Sequence, residues 1–300
     1  MKAVAMGASA FVLLMAAGTA VAQISSINAL NFNAYENFRN PGSVLPSNLS
    51  LNGTAIPNAY NQNVPTSLGG NHVVREVYAQ GTGGFANRHV AWFSNDGGNS
   101  PYALQDGESF RASACFTIDL PSGYPSGIGA SHNSETGFWI NNPRVNEQGV
   151  SFIDEGGVWL ITNGTSFSGG AGMDFNLFGE GGFPNPNSPP IVFPGDTIEV
   201  AYEYFYPQAP GARARYRATV NNITRGIFMD SGYKNFNPIP GSNEVGLNPG
   251  ATFGFRVQNQ IFPLIETDIS TNIFNVNIVP APGAAALLGL GGLVALRRRR

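Results

Sequence analysis

Charge, lysine, histidine and cysteine are all scarce in this chain. Over 300 residues, charged side chains make up 12 %, lysine occurs only as Lys2 and Lys234, and histidine only as His72, His89 and His132. A single cysteine, Cys115, excludes an intramolecular disulfide, so core and sheet alone must hold the folded body. In the alternating run Ser109 to Ile118, Cys115 reads as a small buried apolar side chain rather than a reactive thiol. The histidines stand at no metal-ligand spacing from one another or from the cysteine, which argues against a transition-metal site. No Gly-x-Ser-x-Gly elbow supports a hydrolase triad around His132, Ser134 and Glu135.

Long apolar runs are confined to the two ends. Residues 1–22 carry Lys2, an apolar centre at Phe11 to Met15, and Ala20-Val21-Ala22 before Gln23. That is the pattern of a secretory signal, with small Ala20 and Ala22 accepted by signal peptidase and the cut placed before Gln23. At the other end, Val279-Pro280-Ala281-Pro282 precedes an apolar run from Gly283 to Leu296 and then Arg297, Arg298, Arg299 and Arg300. The two prolines predict an extended break that is neither helix nor sheet. The run is about fourteen residues, short of the roughly twenty that cross a bilayer, and the arginines mark the side that is not translocated. A marginal span of this kind suits a transient anchor better than a permanent one.

The order of proline motif, small-residue helix and arginine cluster in residues 279–300 resembles the PEP-CTERM sorting signal, with Ala281 where the family usually has Glu. The resemblance implies recognition by an exosortase-type transpeptidase, transient membrane anchoring by the C-terminal helix, and release to the cell surface or an exopolysaccharide matrix. The body is then residues 23–278. Of 16 basic and 19 acidic residues, five basic ones (Lys2 and Arg297 to Arg300) lie in the ends, leaving 11 against 19, a net of −8. An acidic body argues against nucleic acid or an anionic membrane surface as partners, since both need a basic face.

Within the body, glycine, proline and asparagine punctuate short runs of period-two alternation, the signature of antiparallel sheet. In Thr197 to Tyr204, Ile198, Val200, Tyr202 and Tyr204 share a face opposite Glu199 and Glu203. After the turn Pro207 to Gly211, Ala212 to Val220 returns with Arg213, Arg215 and Arg217 on one face. A hairpin would pair Glu203 with Arg213 or Arg215; binding of an acidic polysaccharide is the functional reading of the same stripe. Further strands are expected at 72–79, 88–94, 109–118, 136–141, 157–162, 173–178, 226–229, 251–257 and 272–278. The last two have inward sets Phe253, Phe255, Val257 and Phe274, Val276, Ile278. The expectation is an all-β, antiparallel, two-sheet jelly-roll sandwich, flanked by an N-terminal signal helix and a short C-terminal apolar helix.

The stretch His89 to Phe93, then Asp106 to Phe110, and later Gly250 to Phe255, resembles the strand order of the concanavalin A-like lectin and glucanase sandwich. Glucanases of that fold use a Glu-x-Asp-x-x-Glu strand. Glu266-Thr267-Asp268 supplies its first two acids but Thr271 stands where the last belongs, so hydrolysis by that route is not expected and the acids read as polar residues in a loop. Asp96, Asn99 and Asp106 on glycine-rich turns are candidate calcium ligands, with Asx turns as the alternative. Trp139 and Asn141, projecting to one face, and Trp159 are candidate glycan-binding residues, with sandwich core as the alternative. The sequence thus predicts a secreted, sorted, non-enzymatic surface protein, lectin-like or adhesive, with polysaccharide partners. A surface carbohydrate-active hydrolase is the alternative.

Overall fold

The computed structural model describes residues 27–37, 48–56, 64–79, 85–120, 133–163, 173–176, 192–207, 209–261 and 266–280. These are strands and turns throughout. In chain order they are β1 Ala29–Asn37, β2 Asn48–Leu51, β3 Thr54–Ala55, β4 Val64–Ser67, β5 His72–Tyr78 and β6 Phe85–Ser94. Next come β7 Phe110–Asp119, β8 Asn133–Val145, β9 Ser151–Asn163, β10 Met173–Asn176 and β11 Ile198–Phe205. The last five are β12 Arg215–Asn222, β13 Ile227–Asp230, β14 Lys234–Asn235, β15 Thr252–Ile261 and β16 Thr267–Pro280.

Every pairing is antiparallel, and the strands form two sheets. One has seven strands in the order β10-β9-β8-β15-β6-β1-β4; the other has nine, β13-β12-β11-β7-β16-β5-β2-β3 with β14 beside β12. Strands distant in sequence lie side by side, as in a sandwich rather than a meander. Their facing sides bury Phe93, Phe138, Phe253 and Phe255 from the first sheet against Phe110, Phe116, Tyr202 and Tyr204 from the second. Phe110 and Phe253 stack across the gap with ring centroids 4.1 Å apart. The expected all-β two-sheet architecture is present. Neither flanking helix lies within the described residues, and among those residues no helix is long and apolar enough to cross a membrane.

Two expectations are corrected by backbone detail. The alternation groups Phe274 inward with Val276 and Ile278, but Ile273 is the residue that reaches the core, at 1 % exposure. The pairing of β16 with β7 slips between Phe274 and Asn277, and Asn275 has φ 53°. This bulge adds one residue and reverses the alternation, so Phe274 turns outward opposite Cys115 while Val276 and Ile278 stay against the core. The prolines of the C-terminal motif were expected to exclude sheet. Instead, Val279 and Pro280 continue β16 opposite Arg111 and Phe110, since a proline at the last strand position forfeits only one donor.

The hairpin of β11 and β12 forms as expected, with a different register. Glu203 lies opposite Arg217 on one side and Arg111 on the other, with the Arg111 guanidinium 3.3 Å away, rather than opposite Arg213 or Arg215. The nine-residue β1 and the short strands β2, β3, β4 and β14 are additions to the sequence reading. The turn joining β2 and β3 is Asn52-Gly53, with φ 52° and 77°, the left-handed pair that a tight two-residue hairpin requires.

Gly254 sits between Phe253 and Phe255 with its missing side chain directed at the neighbouring strand. A Cβ there would lie 2.2 Å from the Ala91 carbonyl oxygen and 2.7 Å from the Trp92 Cα. Gly254→Ala should therefore lower unfolding stability by about 1–3 kcal/mol in a denaturant titration, the usual range for overpacking. Gly69→Ala, where nothing lies within 4 Å, should stay within about 0.5 kcal/mol of the parent.

Candidate functional site

The side of the seven-stranded sheet turned away from the core carries a second apolar cluster, formed by Val90, Trp92, Trp139 and Trp159. Strand alternation puts it there, because the same strands aim Ala91, Phe93, Phe138, Val158 and Phe255 inward. Register then sets tryptophan beside glycine. Trp92, Gly254, Trp139 and Gly157 form one line across four strands, and Val90, Arg256, Gly137 and Trp159 form the next. A Cβ at Gly254, Gly137 or Gly157 would crowd the backbone of the adjoining strand, 2.7, 2.7 and 3.1 Å from the Cα of Trp92, Trp159 and Trp139. The Trp139 and Trp159 rings meet with centroids 5.2 Å apart, and Trp139 Nε1 donates to Asn141 Oδ1 at 3.0 Å.

Two arginines lie on this aromatic floor. The Arg88 guanidinium is 4.5 Å from the Trp139 ring, and that of Arg256 is 4.4 Å from Trp139 and 4.8 Å from Trp159. Both arginines are 1 % exposed. Burying a guanidinium costs several kcal/mol, more than the roughly 0.5–2 kcal/mol of a cation–π contact returns. The difference is met by carboxylates: Glu155 accepts both oxygens' worth of contact from Arg88 Nη1 at 3.0 and 3.1 Å, and Glu135 accepts from Arg256 Nη2. Gln258 Oε1 accepts from Arg88 Nε at 3.2 Å and from Arg256 Nη2 at 2.7 Å, tying the two arginines together. Two positive and two negative groups leave this face close to neutral.

Trp139 and Asn141 do share a face, as the alternation predicted. Trp139 and Trp159 are not exposed platforms, however: they are 3 % and 8 % accessible, walled by the arginines. Solvent meets the cluster at its rim, through Asn141 and a Glu155 side chain that is 30 % exposed.

The candidate calcium residues come together only in part. The Asp96 carboxylate accepts hydrogen bonds from Ser94 Oγ at 2.6 Å, Ser100 Oγ at 2.6 Å, Asn99 N at 2.9 Å and Ser100 N at 3.0 Å. Led by the bonds from the Ser100 and Ser94 hydroxyls, these hold its pKa well below the usual carboxylate range. Asn99 Nδ2 donates back to the Asp96 carbonyl at 2.5 Å. This is an Asx-type turn whose acceptor oxygens are already engaged. Asp106 is bonded to Tyr206 instead. Among the described residues no group of three or more His, Cys, Asp or Glu side chains is placed to hold a metal ion.

Asp268 lies in β16 rather than in a loop, and its carboxylate takes two hydrogen bonds from Arg75, at 2.8 and 2.5 Å. Those bonds hold its pKa below the ordinary value. Cys115 is buried, and burial pushes its thiol up, away from reactivity. Arg217 pairs with Asp230 at 2.9 and 2.6 Å, so the arginine stripe on β12 includes an ion-paired member. Val279 and Pro280 lie in β16. Ala20, Ala22, Gln23, Ala281, Pro282, His132 and Arg297 to Arg300 lie outside the described residues.

One cluster escaped the sequence reading. Glu76, fully buried between the sheets, accepts from Tyr78 OH at 2.8 Å, lies 2.8 Å from His89 Nε2, and accepts from Asn259 Nδ2. Asn259 in turn accepts from Ser134 Oγ at 2.6 Å. Its signal was present in the alternation of β5, which puts Glu76 on the inward face with Val74 and Tyr78. With no exposed surface on Glu76 or His89, the cluster works as a polar cross-link between sheets.

No protein-family model and no curated protein matches the chain. Similar solved structures include arcelin-5, a lectin-like defense protein from Phaseolus vulgaris, at 9 % identity over 84 % of this chain and 96 % of that one, with TM-score 0.40. Lectin I from Ulex europaeus, in complex with the methyl glycoside of α-L-fucose, aligns at 10 % identity over 85 % and 98 %, with TM-score 0.39. The PL-14 alginate lyase from Aplysia kurodai aligns at 8 % identity over 85 % and 100 %, with TM-score 0.38.

The charge balance on the tryptophan face predicts strong coupling. Glu135→Gln alone leaves Arg256 buried without its carboxylate and should cost about 3–5 kcal/mol by denaturant titration. Glu135→Gln combined with Arg256→Met should recover much of that loss. If the double variant is as unstable as the sum of the two single changes, the pairing described here is wrong.

Proposed function

We propose that the chain is an exported, C-terminally sorted protein acting without catalysis at the cell surface or in an extracellular polysaccharide matrix. Its polysaccharide partner is held along the outer face of the seven-stranded sheet. The tryptophan and arginine cluster on that face carries the reading. The core between the sheets is enough to close a sandwich, and a second aromatic layer on the opposite side adds the groups that sugar recognition uses. Asn141 and Glu155 at the rim offer acceptors to sugar hydroxyls, and the buried Trp139 Nε1 holds Asn141 in place.

The non-catalytic part is supported by how the carboxylates are engaged. Glycoside hydrolysis needs one carboxyl carrying a proton and a second available to attack or to activate water. Glu135 and Glu155 are each bound to a guanidinium, and Asp268 to Arg75. Export rests on the signal-like residues 1–22 and sorting on residues 279–300, cut respectively by signal peptidase and an exosortase-type transpeptidase. Because Ile278, Val279 and Pro280 still pair with Ala112, Arg111 and Phe110, a cut that spares the sheet falls after Pro280.

The test is a glycan array probed with the exported protein, with and without calcium. The expected result is retention on at least one polysaccharide class, weakened about tenfold, or about 1.4 kcal/mol, by Trp139→Phe, which removes the Nε1 donor that positions Asn141. Retention on no glycan, or equal retention by the variant, would refute a binding role for this face.

A further inference from the structure

The β8–β9 hairpin extends beyond its own sheet. β15 starts at Thr252, opposite Asn141, yet β8 and β9 go on pairing from Asn142 with Asp154 to Val145 with Ser151. Along these four rungs no third strand pairs with the ribbon among the described residues. Val145, Val150, Phe152 and Ile153 on this arm are 52, 58, 39 and 54 % exposed. Buried Arg144, opposite Phe152 and one rung from the end of the ribbon, ties the arm back to the body: it bonds Asp154 at 2.6 Å, Glu244, and the Asn237 carbonyl at 3.3 Å. Beside the tip, Val145, Glu147, Ile239 and Pro240 line a cleft of about 440 Å³. An apolar projection on a firm base calls for a cover.

The arm stands at the end of the sandwich from which the chain departs toward its C-terminal apolar run. Pro280 pairs with Phe110, and Phe110 stacks on Phe253, the neighbour of Thr252 at the root of the arm. On the same transverse row, Phe110 is followed by Tyr204, Tyr216 and Lys234, the body's one lysine. From Pro280 to the start of the run at Gly283 the tether reaches roughly 10 Å, at about 3.5 Å per residue. The run from Gly283 to Leu296 spans about 21 Å as a helix, against about 30 Å of hydrocarbon. A tether and a span this short leave no gap: the Pro280 end of the sandwich has to rest on the bilayer for the run to insert.

We infer that the β8–β9 arm is a membrane-contact element, its occupant a lipid bilayer surface. Val145, Val150, Phe152 and Ile153 enter the interfacial zone while the C-terminal run is inserted. The arm and tail together fix the sandwich with its Pro280 end toward the lipid, which presents Ala281 and Pro282 at the surface where a processing enzyme works. This rests on the reading of the C-terminal run as membrane-inserted, and the test separates the two claims.

The full chain in a Cys115→Ser background is reconstituted into zwitterionic phosphatidylcholine and phosphatidylethanolamine vesicles containing nitroxide-labelled lipid. An environment-sensitive fluorophore is placed at one of three sites: Val150→Cys on the arm, Leu288→Cys in the tail, or Phe228→Cys as control. Phe228 is 60 % exposed but pairs with Asn221, five residues along β12 from the Tyr216 row. The expected result is at least twofold quenching at Val150 and Leu288 and none at Phe228. Quenching at Leu288 with Val150 no more quenched than Phe228 overturns the arm's role while the inserted tail stands. Absence of quenching at Leu288 overturns the inserted tail, and the arm's role with it.

Discussion

The interlock of aromatic rings between the two sheets is the interaction on which the rest of this molecule depends. With one cysteine, no covalent cross-link shares the burden. Across the gap, Phe110 lies 4.1 Å from Phe253, and Phe116 lies 5.8 Å from Phe255 and 6.2 Å from Phe138. Each such pair adds about 0.5–1.5 kcal/mol beyond the burial of its apolar area. β15 is the strand that joins this core to the outer face. Its inward residues Phe253, Phe255 and Val257 close the sandwich, while Gly254 and Arg256 between them floor and charge the tryptophan cluster. Phe-Gly-Phe-Arg-Val is thus one segment with two jobs set by the period of two.

Charge inside this protein is handled by pairing rather than exclusion. Arg88, Arg256 and Arg144 are all buried, and each has carboxylate partners within hydrogen-bonding reach. Glu76 between the sheets is satisfied by Tyr78, His89 and Asn259. Such groups add little net stability, because desolvation consumes most of the Coulomb gain, but each fixes a register: a slipped strand would strand a charge in the interior. A chain poor in charge has therefore spent much of it where position matters. Exposed ion pairs, such as Arg75 with Asp268, are screened by solvent and add little.

Much of this was legible in the sequence wherever alternation was uninterrupted. Phe253, Phe255 and Val257 were assigned inward correctly, as was the common face of Trp139 and Asn141. Legibility failed at backbone irregularities. The bulge at Asn275 reversed the inward set of β16, and nothing in the side-chain pattern announces one extra residue. Pro280 joined the sheet because a final position tolerates a missing donor. Glu203 met Arg111 and Arg217 because register depends on the whole sheet rather than on the turn alone. Burial of Trp139 and Trp159 outside the inter-sheet core was invisible for a different reason: alternation tells which face a residue takes, but not what else lies on that face. Glu76 was hidden because its partners His89 and Asn259 come from strands remote in sequence.

The proposed function joins a sandwich whose outer face carries aromatic and paired polar groups to terminal segments proposed to direct export and sorting. β16 sits between β7 and β5 and holds its pairing through Pro280, which limits where the proposed cut can fall. The intact mass of the protein recovered from the outer surface or medium of the organism that makes it tests the joined account most directly. The account predicts a chain beginning at Gln23 and ending at or just beyond Ala281. A recovered chain that still carries Arg297 to Arg300, or residues 1–22, would contradict it.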